Sequence, residues 1–123
     1  MRVTSINYST PLSLIEDINN ANIDVFVSTD EGFDFNISVT TPNNYYWYME
    51  KEGLNYIPAS PPDIIVKSLT TENIQQAVES FLEDDGYWIK VYCLSWKRKG
   101  AFDIEQMNQL LNEIKQNNKS ILE

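Results

Sequence analysis

The 123-residue chain contains no histidine. That removes the usual general base near neutral pH, and with it every Ser–His or Cys–His nucleophile pair. There is one cysteine, Cys93, so no disulfide can close within the chain. A lone cysteine fits a reducing compartment, and its place in an apolar run reads as inert packing. Gly32, Gly53, Gly86 and Gly100 are the only glycines and lie far apart, so no glycine-rich phosphate loop exists. No apolar run approaches the roughly 20 residues that span a bilayer. Met1-Arg2-Val3-Thr4-Ser5 opens no signal peptide, because no long apolar stretch follows. The expectation is a soluble cytoplasmic protein with no membrane partner and no cofactor.

Basic residues are also scarce: 9 against 18 acids, a net charge of −9. Such a surface repels phosphate backbones, which argues against nucleic acid as a partner. It attracts a basic protein and steers fast association with it, although solubility alone is the plainer reason for the charge. What remains is ample material for a core, with 42% hydrophobic and 12% aromatic residues. The length fits one domain, 1–123, able to fold without metal or disulfide staples.

The clearest pattern is period-two alternation. Ile23, Val25 and Val27 alternate with Asp24, Phe26 and Ser28; Phe33, Phe35, Ile37 and Val39 alternate with Asp34, Asn36 and Ser38. Between them lies a short loop ending at Gly32, so residues 23–40 read as a hairpin with one apolar and one solvated face. Thr41-Pro42 then supplies a cap followed by proline at the first helical position, and Gly53 a helix end. Within that helix, Tyr45-Tyr46-Trp47-Tyr48-Met49 places large residues on every side. A wide packing face with tyrosine hydroxyls at its edge is the favoured reading, and a binding surface the alternative.

Prolines 58, 61 and 62 make an extended connector. Ile64-Ile65-Val66 is apolar at consecutive positions, which suggests a central strand over 64–69. A helix over 71–83 follows, capped by Thr70 or Thr71, with Ile74, Ala77, Val78, Phe81 and Leu82 on one stripe. Tyr87 to Leu94 reads as another strand, so this stretch predicts a crossover unit. Asp103 and Gln106 mark a capping box for a last helix over 103–116, with Ile104, Met107, Leu110, Leu111 and Ile114 on its apolar stripe. The first 22 residues offer a short strand around Val3, Ile6 and Tyr8, then a helix over Pro11 to Ile18 capped by Thr10, with Leu12, Leu14, Ile15 and Ile18 apolar. The fold class expected is α+β or α/β: one twisted sheet of about four strands with helices packed on it.

The chemistry is mostly negative. Asp84-Asp85-Gly86 lacks the ligand spacing of a calcium loop, so no metal site is expected. A carboxylate pair for glycoside hydrolysis is the one catalytic arrangement left open; with the other parts of a catalytic site missing, the expectation is a non-enzyme. Glu83, Asp84 and Asp85 stand at a helix exit, where negative charge costs about 0.3–1 kcal/mol per residue. That cost suggests a functional surface; a solvated turn beyond the helix end is the alternative. Asp63 begins a neighbouring parallel strand, so Asp63 and Asp85 are expected at one edge, with Glu50 and Glu52 near them.

Tyr48-Met49-Glu50-Lys51-Glu52-Gly53, then Pro62-Asp63-Ile64-Ile65-Val66, then Glu83-Asp84-Asp85-Gly86-Tyr87-Trp88 resembles small bacterial immunity proteins. These accompany polymorphic toxins and contact-dependent growth-inhibition toxins. The likeness covers roughly residues 23 to 92. It implies an antitoxin, not an enzyme, that binds a cognate toxin domain, often a nuclease, and is expected to be a monomer on its own. The partner-binding residues expected are Glu83, Asp84 and Asp85, then Glu50, Glu52 and Asp63, with Trp47 as an apolar anchor. The alternative is an acidic adaptor or secretion chaperone holding a protein partner.

Overall fold

The structure, a computed structural model, describes residues 1–58, 63–97 and 104–122. The fold is α+β: one mixed four-stranded sheet in the order β1-β2-β3-β4, with helices α1 to α4. The elements run β1 (Val3–Tyr8), β2 (Asn22–Thr29), β3 (Asp34–Thr40), α1 (Pro42–Glu52), β4 (Asp63–Ile65), α2 (Thr71–Phe81), α3 (Glu83–Lys97) and α4 (Ile104–Leu122). The chain divides into two compact units, Met1–Ile89 and Lys90–Glu123.

In the first unit the hairpin forms as the alternation dictates. β2 and β3 pair antiparallel with Ile23 opposite Val39, Val25 opposite Ile37 and Val27 opposite Phe35. All six side chains therefore share a face, and all six are buried. The loop closes through Gly32 at φ 73, and the Thr29 hydroxyl both donates to the Phe33 carbonyl and accepts from the Phe33 amide. β1 pairs antiparallel with β2, with an irregularity between Val3 and Ser5. The opposite face, with Asp24, Phe26, Asp34 and Asn36, is exposed.

Three expectations are corrected. β4 is a short edge strand, parallel to β3, and not a central one. Consecutive isoleucines there point to opposite faces, so Ile64 is buried and Ile65 is 59% exposed. The crossover unit is accordingly β3-α1-β4. Second, residues 87–94 are helical, within α3. A nearly continuous apolar run carries no period that separates a buried strand from a helix, and β1 supplies the remaining strand of the sheet. Third, the helix expected from Pro11 is only a 3-10 turn, Leu12–Leu14, with no side-chain cap from Thr10. Ile15 is already extended, and Asp17 accepts from the Asn19 amide to turn the chain instead.

α1 starts at a buried joint. Thr41 is fully buried. Its hydroxyl oxygen accepts from the Asn44 amide, the N-terminal cap, and at 3.2 Å from the Ala21 amide. The Thr41 amide donates back to the Ala21 carbonyl at 3.2 Å. Asn44 extends the joint, donating to Asn20 at 3.1 Å and accepting from Asn22 at 2.8 Å. α2 is capped by Thr70, whose hydroxyl accepts from the Asn73 amide at 3.1 Å. Its Ile74 and Val78 are completely buried and, with Leu69, Leu82 and Ile89, complete the core of this unit. Each such side chain removed from water contributes about 1.5–3 kcal/mol.

In the second unit, α4 continues to Leu122, beyond the expected end near residue 116. Gln116, Lys119 and their neighbours include no glycine or proline to stop it. The stripe Ile104, Leu110, Leu111 and Ile114 is exposed along its length. No helix among the described residues is long and apolar enough to cross a membrane. The expected cap Asp103 and prolines 61 and 62 lie outside the described residues.

Thr41→Val keeps the shape of the joint and deletes its hydroxyl. It leaves two backbone amides without their side-chain acceptor, a loss of about 1–3 kcal/mol. Urea unfolding checks this, and Thr41→Ser, which keeps the oxygen, is expected to recover most of the loss.

Candidate functional site

The acidic turn lies beyond α2 and not on its last turn. α2 ends at Phe81, with Leu82 as its cap residue. Glu83 to Asp85 therefore stand ahead of the regular turns of α3, the side of a helix where negative charge is favourable. The local cost inferred from the sequence at a helix exit does not apply. A different one takes its place: Asp84 at φ 56, Asp85 at φ 58 and Gly86 at φ 68 are successive left-handed residues. Only the glycine adopts that conformation freely. Contacts on both sides hold the turn. The Gly86 amide donates to the Leu82 carbonyl at 2.9 Å, and the Met1 ammonium donates to Asp85 Oδ1 at 3.2 Å and lies 3.6 Å from Glu31. The bond to Asp85 holds the ammonium above its ordinary pKa. Asp85 is thus engaged by the Met1 ammonium, and all three acids, Glu83, Asp84 and Asp85, are exposed, followed by the exposed rings of Tyr87 and Trp88 at 5.3 Å, edge to face.

Asp63 and Asp85 do not share an edge. Asp63 is in register with Ser38, and Ser38 with Asp24, on the β4 side of the sheet. Met1, which holds Asp85, precedes Val3, opposite Thr29 at the other end of β2 and on the opposite edge strand. The two aspartates sit at diagonal corners, so the single acidic rim does not form. It required a strand at Tyr87–Leu94, which is absent. Asp63 instead meets Tyr45, whose hydroxyl lies 3.5 Å from Oδ2. Partial burial pushes the Asp63 carboxyl up, against the lowering effect of the tyrosine hydrogen bond. The Tyr45 phenol is raised as well, first by its own desolvation, with the Asp63 charge adding to it.

Glu50, Glu52 and Trp47 all lie on α1, but only Trp47 and Glu50, three residues apart, share a side; Glu52 points away from both. No residue of the helix is fully buried; Tyr45 and Met49, four apart, are half-buried and mark a packing side narrower than the wide one expected. Successive residues turn by about 100° around a helix, and Tyr46 (67%), Trp47 (48%) and Tyr48 (45%) are accordingly exposed around it. Leu54 and Tyr56 extend this surface beyond Gly53. Lys51 Nζ lies over the Trp47 ring, 5.0 Å from its centroid. Tyr46, Tyr48, Leu54 and Tyr56 are the surface residues that the sequence reading did not select. The signal was present in the run of five large residues, but burial, which decides between packing and display, is not written in it.

Among the described residues, no cluster of histidine, cysteine or acidic side chains could hold a metal ion. Comparison with protein-family models, with curated proteins and with solved structures gives no match.

Because the folded-state carboxyl of Asp63 is raised, the native protein takes up its proton at higher pH than the unfolded chain does. The ionised group therefore opposes folding at neutral pH, and the opposition disappears as the pH falls through the raised value. Asp63→Asn is expected to raise the urea midpoint slightly at neutral pH, with the difference shrinking in acid. An equal difference at both would show that the carboxylate charge is not its cause.

Proposed function

We propose that the chain is an immunity protein that binds a basic toxin domain, most simply a nuclease, and neutralises it in a reducing, cytoplasmic setting. The observation that carries this reading is the surface of α1: exposed Tyr46, Trp47 and Tyr48 interleaved with Glu50 and Glu52 on a helix with no fully buried residue. Aromatic residues enriched at an exposed face are the composition of an interface core. The surrounding carboxylates and the net charge of −9 favour a basic partner over an acidic or nucleic one. A toxin that grips phosphate presents such a basic surface, and an acidic protein competes for it. The resemblance over residues 48–53, 62–66 and 83–88 supports the same reading. Glu83, Asp84 and Asp85 form a second exposed acidic patch, with Asp85 tied to the Met1 ammonium.

The test is co-expression with the C-terminal domain encoded immediately upstream. That domain is expected to kill cells alone, and this chain to rescue them and co-purify with it. Trp47→Ala combined with Glu52→Lys should abolish rescue, and Asp84→Lys should weaken it. If neither rescue nor a complex results, the adaptor reading takes its place; the exposed apolar stripe of α4 favours that alternative.

A further inference from the structure

The end of α1 builds a cleft of about 410 Å³ lined by Tyr46, Met49, Glu50, Gly53, Leu54 and Asn55. Its construction follows from the sequence. Tyr46, Glu50 and Gly53 recur at i, i+4 and i+7 and so share a helix face. Gly53 adopts φ 66, and the Leu54 amide donates to the Met49 carbonyl at 2.9 Å. That turn folds Leu54 and Asn55 back to form the second wall. Gly53 has open space where a side chain would start, so nothing fills the cleft from that side.

Its chemistry is specific. The walls offer a tyrosine ring, a thioether and a leucine, and one carboxylate, Glu50, stands among them. Glu50 takes part in none of the ion pairs among the described residues. The adjacent cation, Lys51, is engaged elsewhere, over Trp47. Its position also shows that an aromatic ring on this helix accepts a cation on its face. An occupant that satisfies all of this has an apolar stem, a flat cationic head and a paired set of donors. Among protein side chains that is arginine, whose guanidinium forks onto a carboxylate and stacks on an aromatic ring. A lysine ammonium is a strongly hydrated point charge that offers neither the planar stack nor the bidentate fork.

We propose that this cleft receives an arginine side chain of the partner, its guanidinium paired with Glu50 and stacked on Tyr46. The inference rests on the reading of a basic protein partner and identifies the group by which that partner is gripped. It places the apolar anchor of the interface and its charge selection at one point on α1.

The experiment uses the full chain, isotope-labelled for NMR, and a capped glycyl-arginyl-glycine peptide as probe. Two control peptides replace arginine by citrulline, which keeps the shape and loses the charge, and by norleucine, which keeps only the stem. The arginine peptide is expected to shift the amides of Tyr46, Glu50, Leu54 and Asn55 with a midpoint on the order of millimolar. Glu50→Gln should weaken it roughly fivefold or more, the loss of one charge-assisted pair, with the rest of the spectrum unchanged. Equal binding of the norleucine peptide, or shifts centred on Glu83 and Asp84 and indifferent to Glu50→Gln, would overturn the proposal. The probe needs no toxin, so loss of the cleft with rescue intact removes only this inference. Arginine binding without rescue removes only the immunity reading.

Discussion

The hydroxyl of Thr41 connects the sheet to α1, a helix with no fully buried residue. It caps α1 and at the same time accepts from the Ala21 amide at the start of β2, in a position with no access to water. Pro42 follows at the first helical position, where its missing amide costs nothing. The direction in which α1 leaves β3 is therefore fixed mainly by hydrogen bonds at its first turn, with only half-buried Tyr45 and Met49 packing along its length. That division of labour explains how a helix with no buried residue can hold a defined place. It also leaves Tyr46, Trp47 and Tyr48 with much of their surface exposed.

The acids are arranged with similar economy. The excess of 18 acids over 9 bases is not gathered on one rim. Asp63 is partly withdrawn beneath Tyr45 at one edge, Asp85 holds the chain start at the opposite corner, and Glu50 and Glu52 line α1. Each group works under a different physical condition: desolvation raises Asp63, an ammonium engages Asp85, and Glu50 sits in a cleft with apolar walls. Long-range attraction sums over all of them, but short-range selection belongs to carboxylates held beside apolar surface. Only those lose their water when a partner arrives.

Most of the first unit was legible in the sequence because its signals are local. Alternation located the hairpin and its buried face, with strand ends within a residue or so, and Thr41-Pro42, Gly53 and the Thr70-Thr71 pair marked helix ends by backbone chemistry that holds in any context. The failures share a cause. Ile64-Ile65-Val66 and Tyr87–Leu94 are apolar without a period, and whether such a run is buried on two faces, lies at an edge or coils into a helix depends on neighbours that lie far away in sequence. The acidic rim failed with them, because it was built on the strand at Tyr87. The aromatic block of α1 was visible, but its exposure was not. A packing helix and a displayed one have the same composition when every side of the helix carries a large residue.

The claim at the centre of this account is that α1 is the face covered by the partner. Amide hydrogen exchange of the chain, free and in complex with the toxin domain proposed as its partner, addresses it directly. The account predicts slowed exchange over residues 42–56 in the complex. Protection confined to the open sheet face or to α4, with α1 exchanging as in the free protein, would contradict it.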